Sequence, residues 1–160
     1  MGKGRRRTKL FGWRGLTLGE QGLAEETFGG GIDAGRIHIL AIPLWRRAFV
    51  AGPGLMIWPI VSLRADFADP DTPLAAQGVF VHELTHVWQA QHGVQLLWAK
   101  LRAGDRETSY AYDLDGRSSF AQLNIEQQAM VVEHAFLASR GAEVPHPPER
   151  YAAVRSAWRG

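Results

Sequence analysis

The stretch Val79-Phe80-Val81-His82-Glu83-Leu84-Thr85-His86-Val87-Trp88-Gln89 holds two histidines four residues apart, with an acid directly after the first. On a helix, His82 and His86 lie one turn apart on one face, and both imidazoles can reach a single cation. Glu83 stands beside them, where a carboxylate can polarise a metal-held water. This H-E-x-x-H pattern points to zinc-assisted hydrolysis. Two histidines are two ligands, however, and catalytic zinc usually takes three from the protein and leaves a fourth position for water.

The chain has no cysteine, so the third ligand must be a histidine or a carboxylate. His92 completes the spacing H-E-x-x-H-x-x-x-x-x-H. In the metzincin form of that spacing a glycine between the last two histidines lets the chain leave the helix. Here that position is Gln89, and the first glycine is Gly93, after His92. On a continuing helix, six residues is a rotation of about 600°, which leaves His92 about 120° off the metal face. Helix geometry therefore disfavours it. The alternative is a carboxylate on a second helix, Asn124-Ile125-Glu126-Gln127-Gln128-Ala129. Glu126 opens that helix, and Glu133 follows two turns later near its apolar face. Carboxylates beside a core face cost free energy unless they are paired or metal-bound. Glu126 is the leading candidate and Glu133 the reserve.

These residues need elements to hold them. Asp69-Pro70-Asp71-Thr72-Pro73 reads as a loop, with Asp71 or Thr72 as a cap. The helix bearing His82 should run from about 73 or 74 to 92 and stop at Gly93. Its apolar positions are Phe80, Leu84, Val87 and Trp88. A shorter helix is expected within 94–101. The stretch 104–119 is polar, reads as a loop, and turns at Asp115-Gly116. Ile125, Ala129, Val132 and Phe136 recur at helical spacing, Asn124 is a candidate cap, and Gly141 is a stop. Upstream, Thr17 and Glu20 have capping-box spacing before a helix that ends at Gly29-Gly30-Gly31. Arg36 to Leu40 reads as a strand, and its lone His38 as structural. Phe49-Val50-Ala51 and Leu55-Met56-Ile57-Trp58 flank Gly52-Pro53-Gly54 as a hairpin. Pro59 limits the pairing of the second strand and suggests a sheet edge or a strand end. Pro145-His146-Pro147-Pro148 reads as a linker, followed by a short terminal helix over 151–158.

The 160 residues suit one domain, and 46% hydrophobic content supplies a core. Residues 1–15 read as a basic, frayed tail and 16–160 as the domain. The formal net charge is only +2, which sets nucleic-acid binding aside despite Arg5, Arg6 and Arg7. No apolar run is long enough to span a bilayer. No signal-peptide pattern follows the basic start, so the expected location is the cytoplasm, with signal-independent export left open.

His82-Glu83-Leu84-Thr85-His86-Val87-Trp88-Gln89 and Asn124-Ile125-Glu126-Gln127-Gln128-Ala129 together resemble small bacterial metallopeptidases of the gluzincin type. These are Vgr-related proteins associated with contractile injection systems. Leu16-Thr17-Leu18-Gly19-Glu20, Phe28-Gly29 and Ile32-Asp33 add to the resemblance, which covers about residues 16–139. It implies an α+β, minimal zincin-like domain. In such a domain a small, mostly antiparallel sheet packs on the H-E-x-x-H helix and a second ligand-bearing helix. It also implies Zn2+ on His82, His86 and Glu126, with Glu83 as general base. Gluzincins commonly place an aspartate four residues after the ligand glutamate, and here that position is Met130. Asp113 and Asp115 are candidates to replace it.

The expected activity is that of a zinc metalloendopeptidase acting on a peptide or protein. Tyr110, Tyr112 or His134 is the candidate donor to the oxyanion, and the Leu55–Trp58 strand is a candidate for strand addition to substrate. The alternative is a weak or inactive zincin-like interaction module of a secretion or injection system.

Overall fold

The computed structural model of the chain describes residues 9–43, 46–104, 106–116 and 119–160. The Arg5–Arg7 run lies outside the described residues.

Helix α1, Leu18–Phe28, starts where the sequence places it. Thr17 Oγ1 accepts from the Glu20 amide at 3.0 Å, and Glu20 accepts from the Thr17 amide at 2.8 Å. This satisfies two amide donors that the first helical turn otherwise leaves orphaned. Glu20 does more than cap. Fully buried, it also binds both guanidinium nitrogens of Arg14, at 2.7 and 2.8 Å, and the Phe67 amide at 3.1 Å. Arg14 belongs to strand β1, Trp13–Gly15. The ordered fold therefore reaches back into the stretch expected to be tail.

Strand β2, His38–Ile42, follows, with the ring of His38 stacked on Trp13 at 4.6 Å. Strands β3, Phe49–Gly52, and β4, Leu55–Pro59, form the expected hairpin. The sheet order is β1-β2-β4-β3. The β2–β4 pair is parallel and the other two pairs are antiparallel, so the sheet is mixed. Of the two positions Pro59 suggested, an edge or a strand end, the structure has the second: β4 pairs on both sides, β1 and β3 are the edges, and β4 keeps no free edge for strand addition to substrate. Pro59 is tolerated because it is the last residue of the strand, opposite Ile42, and the Ile60 amide bonds Ile42 O just beyond it.

Helix α2 runs Leu74–Gln91. Pro73, not Asp71 or Thr72, precedes its first residue, because those two are used within the loop. The Asp71 amide donates to Asp69, and Thr72 Oγ1 donates to Asp66 O. Gly93, at φ 87°, ends the helix turn, and Gly104, at φ 73°, follows α3, Leu96–Ala103. Helix α4, Ile125–Ser139, opens on a capping box between Asn124 and Gln127. The prolines expected to form a linker instead start α5, Pro148–Val154, with Pro148 in its first turn. Proline fits there because that position has no amide bond to lose.

Among the described residues the protein is α+β, with a four-stranded mixed sheet and five α-helices. Helix α2 packs against α4 and against β3 and β4. Trp58 of β4, Phe67 and Phe80 of α2 form one aromatic stack, with centroids 4.5 and 4.7 Å apart. Phe80, Val81, Leu84 and Val87 are fully buried. The helix carrying the histidines is thus anchored on the core, which fixes the direction its polar face looks.

Candidate metal centre

Helix α2 presents His82, Glu83 and His86, and α4 presents Glu126. One carboxylate oxygen, Glu126 Oε2, lies 3.3 Å from His82 Nε2 and 3.3 Å from His86 Nε2. The three ligand atoms fall within 4.8 Å of one another. The structure thus brings together His82, His86 and Glu126, from two helices about forty residues apart in the chain.

Each histidine is held by its other nitrogen. His82 Nδ1 lies 3.0 Å from Glu133 Oε2, and His86 Nδ1 lies 2.8 Å from Gln89 Oε1. A carboxylate or amide oxygen only accepts, so the hydrogen-bond network places a proton on Nδ1 of each ring. Both Nε2 atoms point at Glu126 Oε2, and in the metal-free chain His82 Nε2 donates to it as well. Gln89 is itself fixed, its amide nitrogen donating to Ile125 O at 3.0 Å and Gln128 Oε1 at 2.9 Å. The other oxygen of Glu126 faces the Lys100 ammonium at 3.7 Å.

Gly78 lets the helices come close enough for this. A Cβ there would sit 3.1 Å from Leu137 Cδ2 and 3.3 Å from Glu133 Oε1. It lies one turn before His82, so the bare backbone at that point gives Glu133 room beside His82.

The electrostatics follow from carboxylates crowding a buried pair of rings. Burial pulls the His82 pKa down, but Glu126, Glu133 and Glu83 outweigh it and raise it to about 9. Burial pushes Glu126 up, yet the hydrogen bonds to His82 and His86 prevail and hold it well below the carboxylate range. Glu83 goes the other way. Burial is its largest influence and raises its pKa, against the opposing pull of His86, His82 and Lys100. Its Oε2 is buried without a hydrogen-bond partner. A buried unpartnered carboxylate oxygen beside two inward-facing imidazole nitrogens and a third anionic oxygen fits a divalent cation and its water. The donor set of two imidazoles and one carboxylate suits zinc.

The remaining candidates sort out by position. His92 turns away: its Nδ1 donates to Trp88 O at 2.8 Å and its ring packs on Trp88. Glu133 contacts His82 Nδ1 and lies outside the candidate ligand group of His82, His86 and Glu126. Asp113 and Asp115 lie on an exposed loop and group with His146, away from the two helix histidines. The Tyr112 hydroxyl bonds His134 Nδ1 at 2.6 Å and the Tyr151 hydroxyl at 2.7 Å. Burial, then Tyr151, raises the Tyr112 pKa far above its usual value, and burial lowers that of His134. Tyr110 is half-buried in the loop before them. Sequence reasoning missed Gln89 and Lys100 as partners of the site. Gln89, at i+3 from His86, was open to recognition. Lys100 was not, because nothing local says where α3 docks.

No family model matches the chain. Over 131 residues it is 34% identical to the type VI secretion system spike protein VgrG2b of Pseudomonas aeruginosa, a match covering 78% of this chain. That match spans only 13% of the length of the spike protein. Among solved structures, the effector domain of Pseudomonas aeruginosa VgrG2b superposes with a TM-score of 0.68 at 29% identity, covering 92% of this chain and 84% of that one. In sequence and in fold, the chain is homologous to the effector domain of the type VI secretion spike protein VgrG2b.

Proposed function

We propose that this chain is a type VI secretion-associated effector domain that binds zinc through His82, His86 and Glu126 and hydrolyses peptide bonds with Glu83 as general base. The homology supports the secretion association. The observation that carries the chemistry is the convergence of His82 Nε2 and His86 Nε2 on Glu126 Oε2, beside the unpartnered Oε2 of Glu83.

A bound zinc ion supplies Lewis acidity and lowers the pKa of water toward about 7. Glu83 accepts a proton from the attacking water and returns it to the leaving amine, which balances the step. Its burial-raised pKa brings it nearer neutrality, where a carboxylate can both take and release a proton. Glu133 and Gln89 hold the imidazoles in the tautomer whose Nε2 is free to ligate. Lys100 lies 3.7 Å from the other oxygen of Glu126, so Oε2 is the oxygen that would be left to hold the cation.

A second reading has its own support. The ligand side chains are deeply covered, with His86 1% and Glu126 4% exposed. Such cover suits a zinc-bearing interaction module without turnover. One experiment separates the two: zinc content of the purified chain, then cleavage of casein and peptide libraries with and without chelator. The hydrolase reading expects about one zinc per chain and chelator-sensitive cleavage. It also expects Glu83→Gln to keep the zinc and lose cleavage by about 100-fold or more. Zinc without cleavage supports the module, and full activity of Glu83→Gln sinks the mechanism.

A further inference from the structure

Surface helices normally bury their large apolar side chains and expose their polar ones. Helix α3 does the reverse. Leu96 is buried and Ala99 and Ala103 are half-buried, whereas Leu97, Trp98 and Leu101 are 72%, 63% and 67% exposed. At about 100° per residue, those three side chains span roughly 100° of outward arc. Lys100 flanks one edge of the arc and Arg102 the other. Helix α3 carries no acid. No other described helix exposes three large apolar side chains.

We propose that α3 is a peripheral membrane-docking ridge for anionic lipid. The apolar arc forms an outward ridge on a short helix of about 12 Å. A ridge needs a deformable apolar medium or a matching groove. A bilayer interface supplies the first, taking Leu and Trp into the acyl boundary and leaving basic groups among the headgroups. The basic residues on both edges give the charge complementarity that an anionic surface requires. A hollow of about 690 Å³ opens beside the ridge, lined among others by Gln95, Trp98, Arg102, Asn124 and Gln128. It offers room for a phosphate headgroup beside Gln95 and Arg102, while the Asn124 and Gln128 amides are engaged with Ser109 O and Phe120 O. Among the described residues no helix is long and apolar enough to cross a membrane, so the contact is a surface one.

The cysteine-free chain makes the test direct. Full chains carrying Leu101→Cys or, as a remote control, the exposed Glu143→Cys are labelled with a polarity-sensitive fluorophore. They are mixed with vesicles of phosphatidylcholine alone or of phosphatidylcholine with phosphatidylglycerol, some containing nitroxide-labelled lipid. The expected result is blue-shift and quenching at 101 but not at 143, on anionic vesicles only, weakened by salt. The variant L97S/W98S/L101S should sediment with those vesicles at least about tenfold less, with an unchanged circular dichroism melt. Chelator should change none of this, which separates the ridge from the zinc site. Vesicle binding without quenching at 101 would assign the membrane contact to the basic Arg5–Arg7 run and overturn the proposal. So would undiminished binding by the triple variant. Absence of vesicle binding together with concentration-dependent dimerisation through α3 would also overturn it, in favour of a second copy as occupant.

Discussion

His82 is the residue on which the centre turns. In the metal-free chain the His82 imidazolium donates from Nδ1 to Glu133 and from Nε2 to Glu126, and does part of a cation's work. Its pKa is raised to about 9 from an ordinary 6.5, so the stabilisation it gives is full below about pH 6.5 and is lost as pH rises through 9. A zinc ion at this site would displace the Nε2 proton. Zinc affinity should therefore climb with pH all the way to about 9, by about tenfold per unit, and level off above. Calorimetry in buffers of different ionisation enthalpy checks this through proton release at pH 7, and a pH-independent affinity with no release would refute it. His82, His86 and Glu83 were legible in the sequence because a four-residue spacing on one helix fixes their mutual position. Glu126 was legible from a carboxylate's cost beside a core face, and a resemblance added to that. The role of Glu133 was not, since choosing between two carboxylates on one face needs the distance between two helices.

At the scale of elements, local signals were read well and pairings poorly. The capping box at Thr17, the cap at Asn124 and the glycines that end α2 and α4 are decided within four residues and appeared where the sequence put them. The parallel pairing of β2 with β4 joins strands across an intervening strand, and no local pattern encodes it. Pro59 therefore left an edge and a strand end both open, because a proline that ends a central strand looks like one on an edge strand. Gly78 shows the same limit, since a glycine inside a helix reads as a weakness until the facing helix is known. Gly78→Ala should gain helix propensity yet crowd Leu137 and Glu133. The net effect should be a loss of about 1–3 kcal/mol, with weaker zinc binding, measured by denaturant unfolding and by zinc titration. A stabilised variant with unchanged zinc affinity would show that the helices can separate without harm.

At the scale of the molecule, Glu20 ties together parts that the sequence kept apart. Its carboxylate holds Arg14 of β1, the first turn of α1 and the amide of Phe67. Removing it leaves the partly buried Arg14 guanidinium with only the Gly15 and Arg64 carbonyls, and the Phe67 amide without its acceptor. Glu20→Ala should cost about 3–5 kcal/mol, read as a large drop in melting temperature. A change under about 1 kcal/mol would mean that the first strand contributes little to the fold.

The donor atoms of the candidate centre come from two helices that meet only in the folded state. An unfolded chain keeps a local pair, His82 and His86, and lacks the carboxylate that completes the set. A metal held by all three residues is therefore a removable cross-link between α2 and α4. Ligand linkage gives its weight: at a free zinc level about 1,000 times the dissociation constant, the folded state gains about 4 kcal/mol. Chelation should lower the melting temperature of wild type and leave that of His86→Ala unmoved. A domain fastened in this way carries its own release catch, and the zinc supply of whichever compartment it enters would govern how readily the chain can be unfolded or degraded there.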